Sequence, residues 1–214
     1  MDILLIGGHG KVALLLAPLL AERGDHVDSV IRFSDQADAV RAAGAFPVVG
    51  DVEQASTEDL ASLAAGHDAL VWSAGAGGGD PMRTYAVDKD AAIRSIDAAR
   101  AAGVHRYVMV SYFGSSLDHE VPAGSPFFPY AEAKAAADAY LRASDLAWTI
   151  VAPSALTLEP ATGHIDADAP AAGSVSRADV AAVVAGVLAD PSTIGKTIAF
   201  NTGDIAIREA LAQA

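Results

Sequence analysis

Two stretches pair a phenol with an ammonium at a spacing of four: YAVDK, from Tyr85 to Lys89, and YAEAK, from Tyr130 to Lys134. On a helix that spacing brings both side chains to one face. A neighbouring ammonium favours phenolate over phenol and would draw the tyrosine pKa down from about 10. Such a tyrosine could exchange a proton with an oxygen-bearing substrate. The spacing alone does not choose between the two windows, so their positions in the fold must.

The second chemical signal is IGGHGKVA, in which Gly7, Gly10 and Ala13 follow G-x-x-G-x-x-A directly after an apolar run. Small residues in a strand-to-helix turn let the backbone bend, let a pyrophosphate approach and let the helix pack on the sheet. The helix start then offers N–H groups and partial positive charge to the anion, through Gly7, His9, Gly10, Lys11 and Val12. This would let an acidic chain hold a dinucleotide.

Three further positions fit that ligand. VIRFSD ends the second apolar run with Arg32, where an arginine would pair with a 2′-phosphate and an acid would take the ribose hydroxyl, so NADPH is expected over NADH, with Lys11 as a second cation. Asp51 in VVGDVEQAS could accept from an adenine amino group while Val52 packs on the ring. Ser73, Ala74 and Gly75 are small enough to let the cofactor lie against the sheet.

Apolar runs able to carry these groups alternate with helical patterns. Strands are expected near Ile3–Ile6, His26–Ile31, Pro47–Val49, Ala69–Trp72, Tyr107–Ser111, Trp148–Val151 and Thr197–Phe200. They are apolar throughout, as strands covered on both faces should be. Val12, Leu15, Leu16, Leu19 and Leu20, and Val180, Val183, Val184, Val187 and Leu188, follow helical spacing. Gly24, Gly44, Gly66 and Gly103 stand where helices should stop, and Ser56 with Asp59 and Ser176 with Asp179 where they should start. Pro18 should kink the first helix. The expected architecture is α/β: a Rossmann-like, doubly wound parallel sheet, one domain over residues 1–214, with small substrate-pocket insertions at 77–85, 114–129 and 155–174.

Composition removes several functions. The chain has 52% hydrophobic residues, no cysteine and a formal net charge of −13. Thiol catalysis and thiolate metal sites are excluded, no histidine has metal-ligand spacing, and no basic run exists to bind nucleic acid or an anionic membrane. The partner is expected to be a small molecule. With no long apolar run and no basic leader, a cytoplasmic monomer or homodimer is expected.

The ordered series GGHGKVA, VIR, VVGD, AVDKDAAIRSIDAARAAGVHRYVMVS, YAEAK, WTIVAPSALT and SRADVAAVV resembles the short-chain dehydrogenase/reductase superfamily over nearly the whole chain. The likeness is to its atypical branch of single-domain NAD(P)H-binding proteins. That branch implies hydride transfer between the nicotinamide and a carbonyl or hydroxyl substrate. Ser111 at the end of the fifth strand would hold the substrate oxygen, Tyr130 would carry the proton, and Lys134 would tune the tyrosine and bind the nicotinamide ribose. Pro153 resembles the position beside the nicotinamide carboxamide. The same likeness makes YAVDK a chance overlap, with Asp88 where related enzymes often hold an asparagine. It also extends to NmrA-like regulators, which sense dinucleotides without turnover, and to biliverdin/flavin reductases, so a sensing role and flavin or quinone reduction are the alternatives.

Overall fold

The computed structural model describes residues 1–214. The seven expected strands form within a residue or two of their read limits: β1 Asp2–Ile6, β2 His26–Ile31, β3 Phe46–Val49, β4 Ala69–Trp72, β5 Arg106–Val110, β6 Ala147–Pro153 and, later in the chain, β10 Lys196–Thr202. They lie parallel in the order β3-β2-β1-β4-β5-β6-β10. The strand order reverses between β1 and β4, and a crevice opens at their carboxyl ends, where open α/β sheets bind ligands.

Alternation along β1 divides the core. Ile3 and Leu5 face one cluster with α1 (Lys11–Glu22), and Leu4 and Ile6 face the other. All four are at most 1% exposed, each worth about 1.5–3 kcal/mol of burial. The first cluster also takes α2 (Ala37–Ala42); the second is covered by α3 (Thr57–Ala64) and a long broken helix. That helix begins as α4 (Pro81–Thr84), widens into a π-helical turn over Tyr85–Ala91 and continues as α5 (Ala92–Ala102).

The remaining helices are α6 (Phe128–Arg142), α7 (Arg177–Ala189) and α8 (Ile207–Gln213). α7 packs beside α1 on the first face, and α6 beside α5 on the second. α3 starts as read: Ser56 and Asp59 exchange hydrogen bonds in a capping box. Ser176 accepts from the Asp179 N–H at the start of α7. Gly103 ends α5 at φ +74°, a left-handed backbone that a side chain would strain.

One local expectation changes. α1 continues through Pro18 to Glu22. Its buried stripe is Val12, Ala13, Leu16, Ala17 and Leu20, while Leu15 and Leu19 stand exposed, because α7 covers a narrower face than the leucines mark out.

The insertion after β6 is more ordered than its turn-rich sequence suggested. β7 (Ala155–Thr157) pairs with β9 (Ser174–Ser176), while β8 (His164–Asp166) runs antiparallel to β10 and to the two-residue β11 (Ile205–Ala206). Asp179 ties it down by accepting from the Thr162 and Gly163 N–H groups and from the Thr162 and Ser176 hydroxyls. No helix is long and apolar enough to cross a membrane.

Candidate functional site

The turn after β1 is fixed by backbone. Gly8 N–H donates to the Val30 carbonyl at 2.9 Å and Gly10 N–H to that of Gly7 at 2.8 Å. Gly7 has φ +88°, and a Cβ there would lie 2.6 Å from the Ala74 backbone, so the turn presses on the end of β4. Gly8 is equally tight, since its Cβ would meet Ser29 at 2.7 Å. The paired glycines signalled it, although only Gly7 and Gly10 fit the spacing first read. α1 begins at Gly10 with no capping side chain and no acid in its first turn, leaving its N–H groups and positive dipole end to a ligand.

A cleft of about 370 Å³ opens over this turn. Its walls include Gly7, His9, Gly10, Arg32, Asp51, Val52, Ser73, Ala74 and Gly75. Four other expected contacts do not line it. Lys11 is exposed at the helix start, Val12 is buried at 7% exposure, Lys134 is buried in α6, and Pro153 ends β6 with its carbonyl accepting from Phe113 N–H.

The far end of the cleft holds a charge network of which Glu53 and Arg83 went unread. Arg32 Nε donates to Asp51 at 3.2 Å and its Nη2 lies 3.6 Å from Glu53, which also accepts from Arg83 Nε at 3.1 Å. Asp51 accepts the Glu53 N–H as well, which fixes its loop. Arg94 on α5 clamps that loop, donating to the carbonyls of Val52, Glu53 and Ala55. The three arginines are 19 to 42 residues from their partners on this loop, so only the fold brings them together.

The two tyrosine windows part company. Tyr85 donates to Glu132, and Lys89 lies over the Tyr85 ring and pairs with Asp90. That window is a packed surface pair. The π turn containing it places Asp88 inward at 2% exposure, where its carboxylate accepts the Ala76 N–H at 3.0 Å. Burial raises the Asp88 pKa, opposed by the charge of Lys134, the Ala76 N–H and Arg83.

Tyr130 and Lys134 lie one turn apart on α6, but the ammonium turns away. Lys134 is 1% exposed and donates to the Val110 carbonyl at 2.8 Å and towards Met109 Sδ at 3.3 Å. Burial lowers its pKa, while Asp138 and Asp88 pull it back. Tyr130 departs from the expectation of an activated phenolate: burial, with Asp88, Asp138 and Tyr112 adding to it, holds its hydroxyl well above the usual 10. It is a phenol at neutral pH.

Ser111 closes β5 at 4% exposure and donates its hydroxyl hydrogen to Asp138 Oδ2, which also accepts from Ser115 at 2.6 Å. Asp138 is wholly buried, and its Oδ1 has no partner. A hydroxyl has one hydrogen. With it given to Asp138, Ser111 offers lone pairs to anything beside it, while the Lys134 ammonium is turned to Val110 and Met109 and Tyr130 keeps its own hydroxyl hydrogen. Tyr130 packs against Tyr112 and Phe127, with ring centroids 5.6 and 5.3 Å away, and forms part of the wall of a second cavity of about 490 Å³ between residues 78–84 and 123–130.

The glycine turn, the crevice and the order of β5 and α6 agree with what the chain matches. Residues 7–191 fit the model of the NAD(P)H-binding family. The chain belongs to that family, and through it to the atypical branch of the short-chain dehydrogenase/reductases. It is 36% identical over 214 residues to an uncharacterized sugar epimerase, YhfK, of Bacillus subtilis, with 99% of each chain covered. A candidate NAD-dependent epimerase/dehydratase from Bacillus halodurans is 33% identical over the whole of both chains, at a TM-score of 0.91. The oxidoreductase ylbE of Lactococcus lactis is 29% identical, covering 100% of this chain and 96% of its own, at 0.88. The family is oxidoreductase- and epimerase-like in its chemistry, and its cofactor is a nicotinamide nucleotide.

Proposed function

We propose that the chain is an NADPH-dependent oxidoreductase that reduces a small carbonyl substrate. The observation that carries this reading is Tyr130: a protonated phenol on the wall of a cavity that, like the glycine-turn cleft, is lined in part by the stretch of chain from β4 into α4. The cradle suits the cofactor, because Gly7 lets the turn lie close against the end of β4 and the first turn of α1 carries no competing acid. Bound NADPH supplies the hydride.

The chain's own residues supply the rest. Tyr130 donates its proton to the developing alkoxide, a role its raised pKa suits better than that of a base. Ser111, held by Asp138, accepts a hydrogen bond and so fixes whichever hydroxyl lies beside it. Lys134, bonded to the Val110 carbonyl and balanced by Asp88 and Asp138, adds a buried positive charge one helical turn from the phenol rather than a hydrogen bond to it. Arg32, steadied by Asp51 and Glu53, would meet the 2′-phosphate.

Replacing Tyr130 by Phe removes the donated proton and keeps the ring. We expect NADPH affinity unchanged and the rate of NADPH oxidation, followed by its absorbance with a panel of carbonyl compounds, down about 10²–10⁴-fold. Unchanged turnover in the variant sinks the assignment, and a wild-type protein that binds NADPH without oxidising it across the panel turns the reading to cofactor sensing.

A further inference from the structure

The cavity beside Tyr130 points to a class of substrate, an inference that rests on the oxidoreductase reading. The segments that follow β4, β5 and β6 at the carboxyl edge of the sheet, residues 73–82, 112–129 and 154–176, contain no lysine and no arginine. Asp80, Asp118, Glu120, Glu159, Asp166 and Asp168 fall within these segments, and the two arginines that directly follow them are engaged away from the cavity wall, Arg83 with Glu53 and the Ala76 carbonyl and Arg177 with the Leu156 and Thr157 carbonyls. The segments' two histidines are engaged in packing or locally: His119 meets Phe128 edge to face, and His164 lies 2.7 Å from the Thr162 carbonyl.

The helix starts beside the cavity do not replace the missing cations. The helices that border the cavity, α4 and α6, each carry a proline in the first turn, Pro81 and Pro129, and so lose an N–H that an anion could use. The Met82 N–H of α4 is taken by the Asp80 side chain at 2.9 Å. Asp80 is also the one charged residue on the cavity wall. Opposite it stand Phe127, 43% exposed, and Tyr130, backed by Tyr112, so the wall presents aromatic surface with a single phenolic donor. Desolvating an anion here would gain no ion pair and would add repulsion from Asp80.

We propose that this cavity takes an uncharged carbonyl compound with an aromatic or conjugated ring, and rejects phosphorylated, nucleotide-linked and carboxylate-bearing substrates. The sugar-epimerase description of one relative then does not carry over to this chain as a nucleotide-sugar activity.

The test uses two probes with one ring system, 1,4-naphthoquinone and 1,4-naphthoquinone-2-sulfonate, with UDP-glucose as a nucleotide-linked probe. Each is titrated calorimetrically into the full chain, with NADP⁺ and without nucleotide. The neutral quinone should bind at least about tenfold more tightly than its sulfonate, with no detectable UDP-glucose binding at millimolar concentration. Asp80→Asn, which keeps the helix cap and removes the charge, should narrow the gap about threefold or more by strengthening the sulfonate. Equal or tighter sulfonate binding, UDP-glucose binding, no binding of either quinone, or an unchanged gap in the Asp80 variant overturns the proposal. A parallel NADPH titration separates the two readings: a quinone preference without NADPH binding refutes the oxidoreductase and leaves the cavity's preference standing, and NADPH binding without the preference does the reverse.

Discussion

Two side chains in the site owe their behaviour to neighbours that no local pattern reveals. Asp138 lies one helical turn beyond Lys134 in an alanine-rich run, where a lone acid reads as a solvated face; instead it is wholly buried and carries two serine hydroxyls. Its four-residue spacing from the lysine was the available signal. Asp138→Asn keeps an acceptor for the serines and removes the charge that helps hold the Tyr130 proton and the Lys134 ammonium. NADPH affinity should stay within about twofold while turnover falls about tenfold or more, measured by steady-state kinetics. At the other end of the cleft, Arg32→Ala should weaken NADPH about 10–100-fold and NADH much less, since only the former needs a guanidinium at its 2′-phosphate. Calorimetry of both nucleotides checks the ratio, and equal losses would remove the basis for preferring NADPH.

The elements were legible where their apolar pattern is long. The central strands β1, β4 and β5 form continuous buried runs, whereas the edge strand β3 is open and β10 alternates, and the capping pairs and terminal glycines bound α3, α5 and α7 as the sequence indicates. The short strands β7, β8, β9 and β11 were not visible, because two or three residues carry no period and their partners lie far along the chain. The π turn was hidden for a different reason: Tyr85–Ala91 has ordinary helical composition, and the wider winding shows only in Asp88 turning inward. Of the expected cofactor contacts, those on the glycine turn and after β2, β3 and β4 meet in one cleft while Pro153 after β6 does not, and the network of Glu53, Arg83 and Arg94 needed tertiary structure to be seen.

At the start of α3, hydrogen bonds from the Ser56 hydroxyl and backbone N–H hold Asp59 below its usual 3.8. A carboxyl depressed on folding contributes stability that is present above its unfolded pKa and lost as pH falls through the folded one. Ser56→Ala should therefore lower the Tm by about 2–4 °C near neutral pH. The gap between the two proteins should shrink below pH 3.8, which thermal unfolding across the acid range measures.

Across the whole molecule, Arg106 joins parts that the chain order keeps apart. Its guanidinium donates at 2.7 Å to the carbonyls of Ala147, before the body of β6, and Val187 in α7, and it approaches the Thr193 hydroxyl at 3.5 Å. Burial lowers its pKa to about 10, still charged at neutral pH. Arg106→Ala leaves the Ala147 carbonyl without its guanidinium donor and the Val187 carbonyl with the Thr193 hydroxyl alone, so we expect a loss of about 1–3 kcal/mol in chemical denaturation. NADPH affinity of the folded fraction should be unchanged, because the cleft lies at the opposite end of the strands.

The margins of the sheet govern how separate copies can meet. β3 lacks an amide donor at Pro47, and β11 is only two residues long, so neither flank presents the uninterrupted ladder that an incoming strand would need to extend. Crowded solutions of the folded protein should consequently resist fibril growth by edge addition to this sheet.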